Sequence, residues 1–169
     1  MRRLILGAWA VFLVASGCVH TKTLEVRDAT LVAKLERREC YGRCPVYSAS
    51  LWSNGVVTFQ GAQCVKLKGN HEKRVSAETI QFVERALKMV KYCALESEYV
   101  RVDSTDGVTV LVSSAACGFL KTVRHYHGDN TAPLALGKLE DQLDLLLGTL
   151  QWVGPEKERD CGDRFEHDA

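Results

Sequence analysis

The feature that most constrains the fold is an Asn-Gly pair between two segments of alternating apolar residues. Apolar residues alternate over 47–51, stop before Asn54-Gly55, and resume over 57–59. A period of two predicts half-buried strands. Asn-Gly suits the two positive φ angles of a type I′ turn, which closes a hairpin in two residues. We therefore predict a hairpin in which Trp52 faces Val57.

Similar patterns predict the other elements. Further strands are predicted over 31–36, 64–68, 108–112 and 119–127. One helix is predicted after an N-cap at Ser76, with apolar residues at helical spacing from Ile80 to Val90, and another from Pro133 to Gly148. The segment from Glu96 to Gly107 is predicted to be a loop. The resulting order, ββββαββα, predicts an α+β fold in which two helices cover one face of an antiparallel sheet.

The N-terminus indicates export. Arg2-Arg3 precede an apolar stretch from Leu4 to Val14, and the small residues 15–17 precede Cys18. This order is that of a bacterial export signal, and the cysteine makes it resemble a lipoprotein signal. As a helix, the apolar stretch would span roughly 16 Å, about half of a bilayer's hydrocarbon core. We therefore predict a cleaved signal peptide at residues 1–17.

Lipidation of Cys18 would make residues 18–29 a membrane tether. In the lipoproteins that this signal resembles, the cysteine carries a diacylglyceryl group and an acyl chain such as palmitate. Val19 after the cysteine, rather than aspartate, implies the outer membrane, facing the periplasm. The alternative is an ordinary signal peptidase site, for which residues 15–17 would also serve.

Length and charge bound the rest of the chain. Removing residues 1–17 from 169 leaves 152 residues, which suit a single domain. We place this domain at 30–154 and a charged tail at 155–169. Residues 1–17 contain two arginines and no acidic residue, so Lys+Arg falls from 22 to 20 against 21 Asp+Glu, and the formal net charge of the remaining chain is −1. Since nucleic-acid binding requires a basic excess, no nucleic-acid partner is expected.

The cysteine count favours disulfides. Beyond Cys18 there are six cysteines: Cys40, Cys44, Cys64, Cys93, Cys117 and Cys161. An even number in an exported chain favours pairing, because the periplasm is oxidising. Six cysteines allow 15 connectivities, and the sequence does not choose among them.

Cys40 and Cys44 are the closest pair and have three interpretations. They could form a structural disulfide, a redox pair or half of a metal site. Redox pairs typically have two intervening residues and open a helix, whereas here there are three and a strand follows. These differences favour the structural disulfide.

A second candidate site contains His125 and His127. Two residues apart on a predicted strand, they point to one face, and Asp129 follows just beyond. This predicts a metal site if another ligand joins, for which Asp103, Asp106 and His71 are candidates. The alternative is that His125 is a hydrogen-bonded edge of the core.

The cysteine motif carries a family resemblance. The segment from Cys40 to Tyr47, followed by the hairpin around Asn54-Gly55, resembles a bacterial family known as domain of unknown function 6438. The resemblance covers about Thr30 to Gly154. It implies the fold and an envelope location but supplies no activity, and the last four cysteines lie outside the family pattern.

No catalytic motif accompanies these features. The sequence contains no Gly-x-Ser-x-Gly nucleophile motif. We therefore expect a non-enzymatic envelope lipoprotein without a cofactor, which binds the membrane through its lipid anchor and an envelope protein, peptide or cell-wall ligand through its domain. The alternative is a thiol-disulfide or metal-handling periplasmic protein that uses Cys40 and Cys44.

Overall fold

The computed structural model describes residues 26, 28–101 and 107–162. The predicted signal peptide and Cys18 lie outside this part. The strands are β1 Leu31–Arg37, β2 Val46–Trp52, β3 Val56–Gln63, β4 Gly69–Arg74, β5 Glu98–Tyr99, β6 Thr109–Ser114 and β7 Lys121–Tyr126. The helices are α1 Ala77–Met89, α2 Leu134–Leu147 and α3 Leu150–Val153, with 3₁₀ turns at Tyr92–Ala94 and Glu156–Glu158.

One sheet contains all seven strands, in the order β4-β3-β2-β1-β6-β7-β5. Neighbouring strands are antiparallel, except that β5 runs parallel to β7. The predicted α+β class is thus confirmed. Strand β5 lies in the predicted loop over 96–107, where two residues are too few to show a period.

The core lies between one sheet face and the helices. Alternate residues of the central strands, such as Leu35 and Leu51, are fully buried and pack against α1 and α2. Helix α2 ends as predicted, because Gly148 adopts the left-handed conformation with φ 63°. Within the described residues, no helix has the length and apolarity needed to cross a membrane.

The first hairpin has a longer loop than predicted. Leu51, not Trp52, pairs with Val57, so the loop contains three residues. Gly55 has φ 79°, whereas Asn54 is absent from the residues with positive φ. The Asn54 side chain instead accepts a hydrogen bond from Val56 N (3.1 Å). The turn is therefore of the three-residue kind that ends in one left-handed residue, and the predicted type I′ turn is wrong.

The fourth strand lies later than predicted. Residues 64–68 form a turn whose backbone bonds the C-terminal segment, with Lys66 N and Leu67 N each 2.9 Å from carbonyl oxygens at 153 and 152. The strand is β4, whose sequence GNHEKR has no apolar alternation. It forms an edge of the sheet, where polar residues discourage pairing with other chains.

Candidate functional site

Two histidines at the end of β7 meet one carboxylate of α2. His125 lies in β7, and His127 continues the ladder by donating its backbone N–H to Val108 O (3.0 Å). Their ring centroids are 4.8 Å apart. Both side chains contact Glu140, as expected for residues on one face of the strand.

Glu140 lies between the two rings. His125 Nδ1 donates to Oε1 and His127 Nε2 donates to Oε2, each at 2.7 Å. The Glu140 side chain is 0% exposed, that of His125 10% and that of His127 37%. The site therefore reaches solvent on the His127 side only.

The two histidines keep this buried carboxylate ionised. Burial raises the pKa of Glu140, but the hydrogen bonds and charges of the two imidazoles outweigh it, so the pKa is lowered. A buried charge is stable only when paired and hydrogen-bonded. Two imidazoles and a carboxylate are also a donor set that first-row transition metals accept.

Asp129 lies outside this cluster. Its Oδ2 accepts from Arg101 N (2.8 Å), and its Oδ1 accepts from the Thr131 backbone N (2.8 Å) and hydroxyl (2.6 Å). These bonds, first among them that from the Arg101 backbone, lower the pKa of Asp129 to about 2. Asp129 thus joins two loops. The carboxylate beside the histidines, which the sequence predicted to be Asp129, is Glu140 instead.

The other candidate ligands are not brought to the cluster. His71 lies on β4, separated from β7 by four strands, with its Nε2 3.0 Å from Lys68 O. Asp103 and Asp106 lie outside the described residues.

Sequence reasoning missed Glu140, although a signal for it exists. Leu136 precedes it by four residues and Leu143 follows it by three, so Glu140 falls on the buried stripe of α2. An acidic residue at such a position requires a partner. The two histidines on one strand face could have been matched to it.

The six described cysteines form three disulfides: Cys40–Cys44, Cys64–Cys161 and Cys93–Cys117. The second bond joins the turn after β3 to the C-terminal segment, where Lys66 pairs with Glu158 (2.8 Å) and Lys68 with Asp160 (2.6 Å). The third joins the 3₁₀ turn after α1 to the β6–β7 turn. The expectation of disulfides is thus met, and the structure supplies the pairing that the sequence left open.

The Cys40–Cys44 bond closes a bend between β1 and β2 rather than the start of a helix. A helix dipole is therefore not available there to lower a thiol pKa, as it is in many redox proteins. The local structure favours a bond that shapes the loop.

The sheet face opposite the helices carries a groove of about 780 Å³, lined by both apolar and polar side chains. Trp52 lies along it, and its Nε1 donates to Thr58 Oγ1 (3.1 Å). The uncharged part of the remaining lining consists of four hydroxyl or amide side chains together with Leu31, Phe59 and His71; the four are Ser48, Ser50, Gln60 and Asn70. Of the charged lining residues, Lys34 and Glu72 have opposite signs, so the groove is close to neutral.

These features define a class: a disulfide-linked α+β domain with a largely antiparallel sheet and its two long helices on one face. Within that class, the chain belongs to the family described as Domain of unknown function (DUF6438), which matches residues 32–147. The match runs from β1 to the end of α2 and includes the histidine–glutamate cluster. No curated protein and no solved structure matches the chain.

Proposed function

We propose that this chain is a lipid-anchored protein of the bacterial envelope whose disulfide-linked domain has a non-enzymatic binding role. The observation that carries the proposal is the cysteine pairing. Three disulfides use the six cysteines other than Cys18. The remaining cysteine stands directly after the small residues of a signal that resembles the lipoprotein type.

Both the three disulfides and the cysteine after the signal are typical of an exported protein. Structural disulfides persist in oxidising compartments such as the periplasm. Two or more acyl chains on Cys18 would give a stable membrane anchor, since one chain alone binds only marginally. A random coil of 12 residues reaches roughly 20 Å on average, so a tether from Cys18 to Ala29 would hold the domain close to the membrane surface.

We place ligand binding on this groove and infer that its occupant is the uncharged sugar strand of the cell-wall peptidoglycan. Sugar rings offer many hydroxyl groups and apolar C–H faces. The hydroxyl and amide side chains of the groove complement the first, and the Trp52 indole complements the second. Near-neutral charge supports this occupant over an acidic or basic ligand, because Lys34 is also paired with Glu36 (2.6 Å).

Thiol-disulfide exchange at Cys40 and Cys44 has less support. The pair is closed in a bend and opens no helix. A reduction potential below about −300 mV, typical of structural disulfides, is expected for it.

The anchor is tested by Cys18→Ser in the natural host or a bacterial host with the same export route. We expect the unaltered chain to fractionate with membranes and Cys18→Ser to lose that association. Val19→Ala is the matched control and should remain in the membrane fraction. A chain that stays with the membrane without Cys18, or is never associated with it, would contradict the anchor.

The binding face is tested by co-sedimentation of the mature chain with purified peptidoglycan. Gln60→Ala and Trp52→Leu should each weaken binding at least fivefold. Thr122→Ala is the control, because Thr122 is exposed on the same sheet face but lies on β7, outside the groove. Absence of binding, or equal losses in all three variants, would overturn the glycan assignment and leave the anchor test unaffected.

A further inference from the structure

Glu140 occupies a position that packing alone would give to an apolar residue. It is 0% exposed and shares the buried stripe of α2 with leucines. A buried carboxylate is tolerated where its oxygens are matched by partners. Here both oxygens face nitrogen atoms of imidazole rings, at 2.7 Å each.

We propose that His125, His127 and Glu140 form a binding site for a divalent first-row transition-metal ion of the Zn²⁺ type. The site is separate from the groove proposed to bind glycan. Each residue offers one ligand atom, and these atoms all lie within 4.8 Å of one another. The mixed nitrogen and oxygen set favours such an ion over Ca²⁺ or Mg²⁺, which prefer oxygen ligands alone.

The three side chains must rearrange to hold an ion. Zinc takes ligands at about 2.0–2.2 Å, so neighbouring ligand atoms in a tetrahedral site are roughly 3.3 Å apart. The nitrogen–oxygen distances in the cluster are 2.7 Å. The 2.7 Å contacts must therefore open by about 0.6 Å, and the widest separation of ligand atoms, which is within 4.8 Å, must close by up to about 1.5 Å. Changes in the side-chain torsions of the three residues would supply both movements.

Metal binding also sets where the protons go. Each imidazole must present a lone pair at the nitrogen that now donates to Glu140, namely His125 Nδ1 and His127 Nε2. A neutral ring therefore holds its single proton on the other nitrogen, and a doubly protonated ring releases one proton to water. The ion then takes the place of the two protons that lie between the rings and the carboxylate.

The surroundings define access. The His127 side chain is 37% exposed while the other two ligands are buried, so the ion would enter on that side. Tyr99 packs edge-on to the His125 ring at 6.5 Å between centroids and limits its rotation. Three protein ligands leave a fourth position for water or an exogenous ligand.

The test is calorimetric titration of Zn²⁺ into the mature chain, purified without a histidine tag and with its disulfides closed. We expect one equivalent to bind. His127→Gln should weaken binding at least tenfold, and the partly exposed position of His127 makes this variant compatible with folding. His71→Gln, which removes a histidine outside the cluster, should change the affinity less than twofold.

The chain has two further histidines, His20 and His167, which lie outside the described residues and could also bind Zn²⁺. A second measurement therefore identifies which histidines bind the ion in the unaltered protein. In imidazole NMR spectra, one equivalent of Zn²⁺ should shift the resonances of His125 and His127 and leave those of His71 in place. Absence of stoichiometric binding would overturn the proposal. So would shifts confined to other histidines, or a folded His127→Gln variant that binds Zn²⁺ like the unaltered chain.

Discussion

At the residue scale, one carboxylate fastens α2 to the sheet. Asp144 accepts hydrogen bonds from Arg37 Nε (2.9 Å) and Nη2 (2.7 Å), from Tyr47 OH (2.6 Å) and from Thr149 Oγ1 (2.7 Å). Burial lowers the pKa of Arg37, but the charge of Asp144 and its hydrogen bonds more than reverse this and raise it. The network therefore depends on the charge of Asp144.

We predict that Asp144→Asn lowers the free energy of unfolding by about 3 kcal/mol, because a largely buried guanidinium loses its closest counter-ion and keeps only the exposed Asp141. Asp141→Asn is the matched control. Asp141 also contacts Arg37, at 3.4 Å, but its side chain is 78% exposed, so its loss should cost less than about 0.5 kcal/mol. Urea denaturation of both variants measures the difference, and equal effects would contradict this assignment.

Asp129 gives the domain a pH dependence of known sign. Its pKa is lowered from 3.8 to about 2 by donors at Arg101 and Thr131. A carboxyl group with a lowered pKa in the folded state contributes stability above its unfolded pKa and loses it as the pH falls to the folded value.

We therefore predict that Asp129→Asn has a lower urea midpoint than the unaltered chain at pH 7. The gap should close as the pH falls from about 4 towards about 2, where Asp129 itself becomes protonated. Urea titrations at several pH values measure it. A gap that stays constant over this range would show that charge at Asp129 contributes nothing.

At the residue scale, the sequence predicted the two histidines but not the acid that joins them. Strand alternation places His125 and His127 on one face whatever they contact. Glu140 lies on another element, and its pairing with the histidines depends on how α2 crosses the sheet. Asp129 is close to the histidines in sequence, but its oxygens are used by the neighbouring backbone.

At the element scale, the first hairpin depends on Gly55. Its φ is 79°, and a Cβ atom there would lie 2.9 Å from Val75 O. Both the left-handed conformation and the close backbone approach exclude a side chain. Gly137, within α2, is not in the left-handed region, and a Cβ atom there would meet nothing within 4 Å.

We predict opposite effects for the same substitution at these positions. Gly55→Ala should lower the free energy of unfolding by about 1–3 kcal/mol through backbone strain. Gly137→Ala should raise it by about 0.5–1 kcal/mol, because alanine favours the helix. Thermal and urea unfolding measure both. Stabilisation by Gly55→Ala would show that the hairpin loop differs from the one described.

Element prediction succeeded where periodicity was strong. Helix α1 begins directly after the predicted N-cap Ser76, and its apolar residues recur at helical spacing over three turns, as predicted. It failed at β4 and β5, which have no apolar alternation. These strands form the two edges of the sheet and are held by backbone hydrogen bonds to β3 and β7. Backbone hydrogen bonds do not depend on side-chain identity, so a side-chain pattern does not predict them.

At the scale of the whole molecule, the three disulfides close loops of very different length. Their cysteines are 4, 24 and 97 residues apart. The longest, Cys64–Cys161, links the sheet to the segment after the last helix. In the chain-entropy model, longer loops stabilise more because they restrict the unfolded chain more.

We predict the order of stability losses when each pair is replaced by alanines. Removing Cys64–Cys161 should cost about 4.7 kcal/mol, Cys93–Cys117 about 3.4 kcal/mol and Cys40–Cys44 about 1.9 kcal/mol. Urea denaturation under oxidising conditions measures these losses. The reverse order, with the Cys40–Cys44 pair most stabilising, would contradict a local role for that bond.

Non-reduced peptide mass spectrometry of the chain, purified from a bacterial envelope, tests whether the protein is a lipid-anchored domain with three disulfides. It reads the mass at Cys18 and the connectivity of the other six cysteines in one experiment. We predict an acylated Cys18 at a new N-terminus and the pairs Cys40–Cys44, Cys64–Cys161 and Cys93–Cys117. An unmodified Cys18, or free thiols in place of these pairs, would contradict a lipid-anchored, disulfide-linked envelope domain.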